Sequence, residues 1–449
     1  MAITKITIIL TLFFAMLAVQ EDLPTIAMIA LCVWALRSPE HAIQALSLSV
    51  VIKILNPVVY PQLGTASMLA LLVLGIAGLR IAIAALQTKT LRHPVLTWVL
   101  VFSIVILAHS MIVSRDSMIS SFKILSFAIG ATTVLLGFKV SAARDVNWIP
   151  WFTGLWTTIL LLSLPTLFVA SIGYHRNGTG FQGILNHPQT LGVLLASGAG
   201  WFAARLLFFP LRETHWMVVG IASLNWVFLL LSRARTGLVA VLGGLVCVII
   251  LALLTRPEWR SQVASSLRKP IILLAISVFV PVMILLPSSI EEQAEQYIFK
   301  HGRAQGTSAE EALTSTRGPG IANQWENFLA SPWVGHGFGI YAFVSPNRIQ
   351  VLDPVFGLPL SAPTEKGFLP TAILEETGLL GTLCFIPLLG SLVWNVSRKS
   401  DIATTWMFFA SILVNVGEMG FFSLGGIGLY TWLIIGWATC SQWRKANET

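Results

Sequence analysis

The run PVLTWVLVFSIVILAHSMIV, residues 94–113, decides the fold. It holds 20 residues with no Asp, Glu, Lys or Arg. At 1.5 Å per helical residue it covers the ~30 Å hydrocarbon core of a bilayer. Working outward, comparable runs fall at about 3–19, 23–36, 42–60, 66–86, 119–140, 148–173, 188–209, 213–231, 236–255, 270–287, 368–395, 402–422 and 424–440, several of them short or interrupted by Pro. The first two also read as a re-entrant pair. Of the 449 residues, 55% are hydrophobic and 11% charged, whereas soluble domains carry about a quarter charged residues. A mean hydropathy of +0.79 leaves no room for a sizeable soluble core. The expected fold is an all-α, polytopic α-helical membrane protein of about 12–14 transmembrane helices. Residues 1–287 and 368–449 would span the membrane, and residues 288–367 would form one long outer-face loop domain with short helices. A cytosolic enzyme, a nucleic-acid-binding protein and a disordered chain are excluded. The net charge of +8 is read as loop orientation in the bilayer.

Lys and Arg occupy every second connection: Arg37; Lys89 and Arg92; Lys139 and Arg144; Arg205 and Arg212; Arg256, Arg260, Arg268 and Lys269; Arg398 and Lys399; Arg444 and Lys445. Under the positive-inside rule this places both termini in the cytoplasm. Residues 1–20 read as a retained first span, although one Lys, an apolar run and small residues near Ala18 are also how a cleavable signal peptide reads. Cys32, Cys247, Cys384 and Cys440 are scattered through apolar runs. That spacing suits neither a zinc site nor a disulfide framework.

An Arg placed against the orientation rule is a functional suspect. Leu231-Ser-Arg233-Ala-Arg235-Thr-Gly237 joins an outward span to an inward one, so both arginines fall at the outer surface and at a helix amino terminus. Backbone N–H groups, the helix dipole and two guanidiniums suit a phosphate or diphosphate. The two side chains point the same way if the turn is extended and diverge if it is helical. The competing reading is snorkelling to lipid headgroups. Arg176, in Tyr174-His-Arg-Asn-Gly178, and Arg317 add to an outer set that suggests a polyanionic ligand.

The long connection, about 288–366, is expected to fold over the site, because structureless loops of that length are uncommon. EEQAEQYIFK, residues 291–300, reads as a short helix with its charges matched to the dipole. A second helix is expected to begin after Thr314-Ser-Thr-Arg317-Gly-Pro319, with an amphipathic run from Ile321 to Ala330. Pro332-Trp-Val-Gly335-His336-Gly337-Phe-Gly339 sets glycines at alternate positions, letting backbone approach a ligand or another segment closely. His336 is either a general base or a histidine bonded within a packed loop. In Pro363-Thr-Glu365-Lys366-Gly367, Glu365 is the carboxylate best placed at the membrane edge to take a proton from a sugar hydroxyl. The alternative is a surface Glu365–Lys366 pair. Glu375 and Glu376 lie farther along the next helix, as residues that fix its packing.

Lys53, His109, Lys123 and Glu418 fall in the outer halves of their spans. Such groups usually face a wet cavity or one another, which implies a polar vestibule open to the outside. A proton-coupled transporter would spread them through the midplane instead. The chain has no phosphate-binding P-loop, His-Glu-x-x-His, Gly-x-Ser-x-Gly or Asp-x-Asp sequence, so ATP hydrolysis, zinc hydrolysis and metal-bound nucleotide-sugar transfer lose support. No metal and no cofactor are expected, and the substrate should carry its own activation.

Four motifs in order carry a family resemblance over about residues 170–395. They are Gly183-Ile-Leu-Asn186-His187-Pro188-Gln-Thr-Leu-Gly192; Ser232-Arg-Ala-Arg235-Thr-Gly237; Arg317 ahead of Trp325-Glu-Asn-Phe-Leu-Ala-Ser-Pro332-Trp-Val-Gly335-His-Gly337-Phe-Gly339; and Leu374-Glu-Glu376-Thr-Gly378-Leu-Leu-Gly381. With them the chain resembles the superfamily of bacterial O-antigen ligases and polysaccharide polymerases. These are polytopic inner-membrane glycosyltransferases acting on undecaprenyl-diphosphate-linked glycans. The resemblance implies arginines that hold the lipid diphosphate, a loop residue that deprotonates the acceptor, inversion at the donor sugar and no metal. It puts Arg233, Arg235 and Arg317 in the diphosphate role, and gives Gly335, Gly337, Gly339, His187 and Lys366 to loop geometry and substrate approach.

The chain departs from that family twice. Many members have an Arg where this chain has Gly180, so either Arg176 substitutes or the contact is lost. Ligases have His-Asn where this chain has Thr364-Glu365-Lys366. The departures favour a polymerase that joins undecaprenyl-diphosphate-linked units, with Glu365, then His336, as the acceptor base. The acceptor would be a second lipid-linked glycan, and the site would face the periplasm from the bacterial inner membrane. The alternatives are a ligase transferring glycan to lipid A core, and a transporter or flippase of an anionic lipid or metabolite.

Overall fold

The computed structural model describes residues 2–61, 66–174, 180–209, 216–267, 309–340, 342, 351–352, 359–361 and 366–441. Its helices are α1 (Ala2–Leu17), α2 (Leu23–Arg37), α3 (Pro39–Lys53), α4 (Ala66–Gln87), α5 (Pro94–Val113), α6 (Ser117–Ala143), α7 (Ile149–Ser163), α8 (Ala170–Gly173), α9 (Pro188–Phe208), α10 (Trp216–Leu231), α11 (Arg235–Leu254), α12 (Pro257–Leu267), α13 (Ala309–Ala330), α14 (Leu369–Lys399), α15 (Ile402–Leu413) and α16 (Ile427–Cys440). The fold is an all-α polytopic membrane protein. Seven of the described helices are long and apolar enough to cross a bilayer, and five more apolar helices are shorter. The only strands among the described residues form a small antiparallel ribbon, Val351–Leu352 with Pro359–Ser361.

Local sequence accounts for the helix starts. Pro occupies the first turn of α2, α3, α5, α7, α9 and α14, where its missing N–H costs nothing. Ser38, Asp116 and Asp401 accept from backbone N–H groups at the starts of α3, α6 and α15. Helix–helix packing in a bilayer rests on close contact rather than on water exclusion. The most enclosed of the seven spans is α9; a Cβ on its Gly192 would meet Ala234, and one on Gly200 would meet Trp406.

Thirteen of the fourteen apolar runs contain a described helix; residues 270–287, like the expected helix at 291–300, lie outside the described residues. The first two runs are separate helices with different neighbours, α1 against α7 and α2 against α3 and α4. One expectation is corrected. The helix placed after Pro319 begins ten residues earlier, at Ala309, and runs through Pro319.

The basic connections meet at one end of the bundle. Arg144 pairs with Glu40 at 3.2 Å, Arg80 donates to Leu36 O, and Arg256 donates to the carbonyls of Arg398 and Ser400. At the opposite end the described loops form a layer bonded from one to the next. Asn56 N donates to Ile184 O at 2.8 Å and Phe181 N to Leu231 O at 2.9 Å, while Lys53 Nζ donates to Gly425 O. Phe422 stacks on Phe102 at 5.4 Å and meets Phe338 at 5.2 Å. This layer positions the candidate site.

Candidate active site

The site is built from two polar clusters joined by that layer. The first is the α10–α11 turn. Arg233 takes a left-handed backbone, φ 52°, Ala234 caps α11, and Arg235 is its first residue. The turn is therefore neither extended nor helical, and it sets two arginines at a helix amino terminus, where the dipole favours anions. Ser232 Oγ accepts from Ala234 N at 3.2 Å and fixes the turn. Gly180 lies directly against it: a Cβ there would sit 2.3 Å from Ser232 O. The close approach of 180–181 to the turn thus leaves no space for a side chain at 180. His187 caps α9, its Nδ1 accepting from Gln189 N at 3.2 Å.

The second cluster surrounds a break in α14. Gly378 has φ 61° and ψ −164°, so the helical ladder is interrupted and four backbone groups need other partners. The loop after α13 supplies them. Leu379 N and Leu380 N donate to Pro332 O and Trp333 O at 2.8 and 3.1 Å, while His336 N and Gly337 N donate to Glu375 O and Glu376 O at 3.0 and 2.9 Å. A Cβ on Gly335 or Gly378 would lie 2.6 or 2.4 Å from backbone carbon of the facing segment. Of the two close approaches read from the glycine spacing, the structure shows the approach to another chain segment. Gly337 packs on Ser114 and Gly339 on Lys123.

Inside this exchange Lys366 Nζ lies 2.8 Å from Glu375 Oε2 and 3.2 Å from Glu376 Oε1, with all three side chains at most 4% exposed. Asn327 Nδ2 donates to Glu375 Oε1 at 2.8 Å, and Gly339 N to Glu376 Oε2 at 2.8 Å. Gln324 Nε2 holds Lys366 O at 2.6 Å. The reading of Lys366 as half of a surface pair with Glu365 is corrected, since its ammonium is buried between two other carboxylates. Glu375 and Glu376 do fix packing; Asn327, which holds Glu375, and Gln324, which holds the Lys366 carbonyl, were missed. Two adjacent carboxylates within an apolar helix should have called for a buried cation.

His336 Nε2 donates to Asn327 O at 2.7 Å, which matches the packed-loop reading. His109 Nε2 donates to Val334 O, Lys123 Nζ lies 5.4 Å from the Phe338 ring centre, and Lys53 holds Gly425 O. These three groups pin the outer loops to the spans. Arg317 falls on the backbone of α13. Glu365 and Arg176 lie outside the described residues.

Residues 220–386 match the O-antigen ligase family model. The match runs from the first half of α10 to the middle of α14, holds the Arg233–Arg235 turn and the cluster around Gly378, and leaves out the motif at 183–192. It supports the O-antigen ligase and polymerase superfamily, and with it a glycosyl-transferring enzyme of ligase or polymerase type acting on lipid-linked glycan and acceptor in the membrane. A comparison with curated proteins finds no significant match.

Proposed function

We propose that the chain is a metal-independent, inverting polymerase that joins undecaprenyl-diphosphate-linked oligosaccharide units in the bacterial inner membrane, with its site on the periplasmic face. The observation that carries this reading is the Arg233–Arg235 turn at the amino terminus of α11, inside the matched segment. An acceptor hydroxyl attacks the anomeric carbon of the donor as the bond to diphosphate breaks. A base takes the hydroxyl proton, and the undecaprenyl diphosphate leaves with the bonding electrons. Arg233 and Arg235, with Arg317 and Arg176 as further candidates, stabilise that charge in a partly dry site. Glu365 is the first candidate for the base. His336 is the second.

The test is the full chain in vesicles supplied with one lipid-diphosphate-linked oligosaccharide. A ladder of longer lipid-linked products supports the polymerase. Transfer only when lipid A core is added supports the ligase, and solute movement without any new glycosidic bond supports the transporter.

A further inference from the structure

Side by side and in the same direction, α13 and α14 run with a nearly constant offset. Gln324 bonds Thr371, 47 residues on, and Asn327 bonds Glu375, 48 residues on. Past the end of α13, Pro332 O and Trp333 O accept from Leu379 N and Leu380 N. The inner face of α13 is accordingly Gln324, Asn327 and Phe328, with Gln324 and Phe328 buried. Its outer face carries Trp325, Leu329 and then Trp333, which are 47%, 59% and 66% exposed. A polar flank, Asn323 and Glu326, is also exposed.

The length of α14 fixes where this stripe sits. Its 31 residues reach about 46 Å, against about 30 Å of hydrocarbon. Roughly ten residues must stand outside the apolar layer, and the break at Gly378 divides the helix there. Residues 379–399 cover about 31 Å, ending at Arg398 and Lys399 beside the exposed Trp394. Leu380, Leu383 and Ile386 form an exposed apolar row on that segment, as a bilayer-spanning helix presents to acyl chains. Trp333 is bonded directly to the first of them, and Trp is the residue most at home at the membrane–water boundary.

We infer that the last turns of α13 and the following Trp333 are a membrane anchor, with Leu329 and Trp333 inserted at the headgroup–acyl boundary of the bilayer and Trp325 in the headgroup layer above. The occupant of the stripe is bulk lipid, because the stripe continues the lipid-facing row of α14 without a gap. Gly378 then marks the outer boundary of the apolar layer, and Glu375, Glu376 and Lys366 sit within about one helical turn of it on the headgroup side. The anchor lies on one face of α13, and Asn327 on the other face holds Glu375 of the charge cluster, so bilayer contact sets the height of the cluster.

The experiment uses the full chain in vesicles of equal parts phosphatidylcholine and phosphatidylglycerol. Leu329→Cys, Trp333→Cys, Asn323→Cys and Glu326→Cys each carry a bimane label, with the wild-type chain labelled in parallel for background. The expected result is loss of Leu329→Cys and Trp333→Cys fluorescence with lipids bearing a shallow doxyl quencher and little loss with aqueous iodide. The reverse is expected at 323 and 326. Quenching by iodide at 329 and 333 equal to that at 323 and 326 would overturn the inference in favour of a water-facing helix. Protection from both quenchers would overturn it in favour of a protein partner or a second copy. Hydroxyl-radical footprinting of the unsubstituted chain in the same vesicles serves if a variant fails to fold: Trp333 is expected to be protected relative to the denatured chain, and oxidation of Trp333 as extensive as in the denatured chain would overturn the anchor.

Discussion

Lys366 Nζ lies 2.8 Å from Glu375 Oε2, and this buried contact ties the chain entering α14 to the second turn of that helix. The other Glu375 oxygen accepts from Asn327 of α13. Its backbone carbonyl accepts from His336 N. One glutamate therefore gathers the chain entering α14, the end of α13 and the loop that follows α13.

Removing the cation should be costly, because it leaves two carboxylates buried side by side. Lys366→Met is expected to lower stability by about 3–5 kcal/mol, read as an earlier thermal unfolding transition in detergent. An unchanged transition would mean that the carboxylates find other partners.

The glycine positions separate into strained and open ones. Gly378→Ala and Gly335→Ala each place a Cβ on facing backbone at positive φ, for an expected loss of about 1–3 kcal/mol apiece. Gly390, in α14, has nothing within 4 Å of a built Cβ, so Gly390→Ala should be neutral or gain up to about 1 kcal/mol. Comparing the three unfolding midpoints checks both halves.

The spans were legible in the sequence because apolar length alone determines them, as residues 94–113 show. So were the arginine turn and the close approach at Gly335. The packing around Gly378 was not, because it depends on a segment about 45 residues away exchanging backbone hydrogen bonds with a broken helix. Local spacing reports nothing of that. Lys366 was misjudged for the same reason: beside Glu365 it reads as a surface residue, and only the return of α14 buries it.

Arg233 allows charge to be separated from backbone. Its left-handed conformation is one that Asn tolerates better than most residues. Arg233→Asn should therefore fold and migrate as wild type while losing about 10²–10³-fold in glycosyl transfer. Arg233→Lys should recover only part of that loss, since an ammonium cannot make the paired contacts of a guanidinium. Initial rates with a labelled lipid-linked donor measure both.

His93, the residue before α5, is pushed down to about 4 by burial, and secondarily by Lys139 and Lys399. An unfolded histidine titrates near 6.5. The folded state disfavours the charged ring, so stability should be level above about pH 6.5, fall as pH drops towards 4, and level off below that. His93→Gln should remove this part of the pH dependence in unfolding curves recorded from pH 8 to pH 4. An identical slope in the variant would assign the acid sensitivity to other groups.

Glycosyl transfer supported by the Arg233–Arg235 turn is tested most directly by the lipid-linked glycans of a strain lacking its own copy of the gene. That strain is complemented with wild type, Arg233→Asn or Arg235→Ala at matched expression. The expected result is long polymer with wild type and accumulated single lipid-linked units with either variant. Polymer of normal length and amount in both variants would contradict the assignment of the diphosphate to this turn.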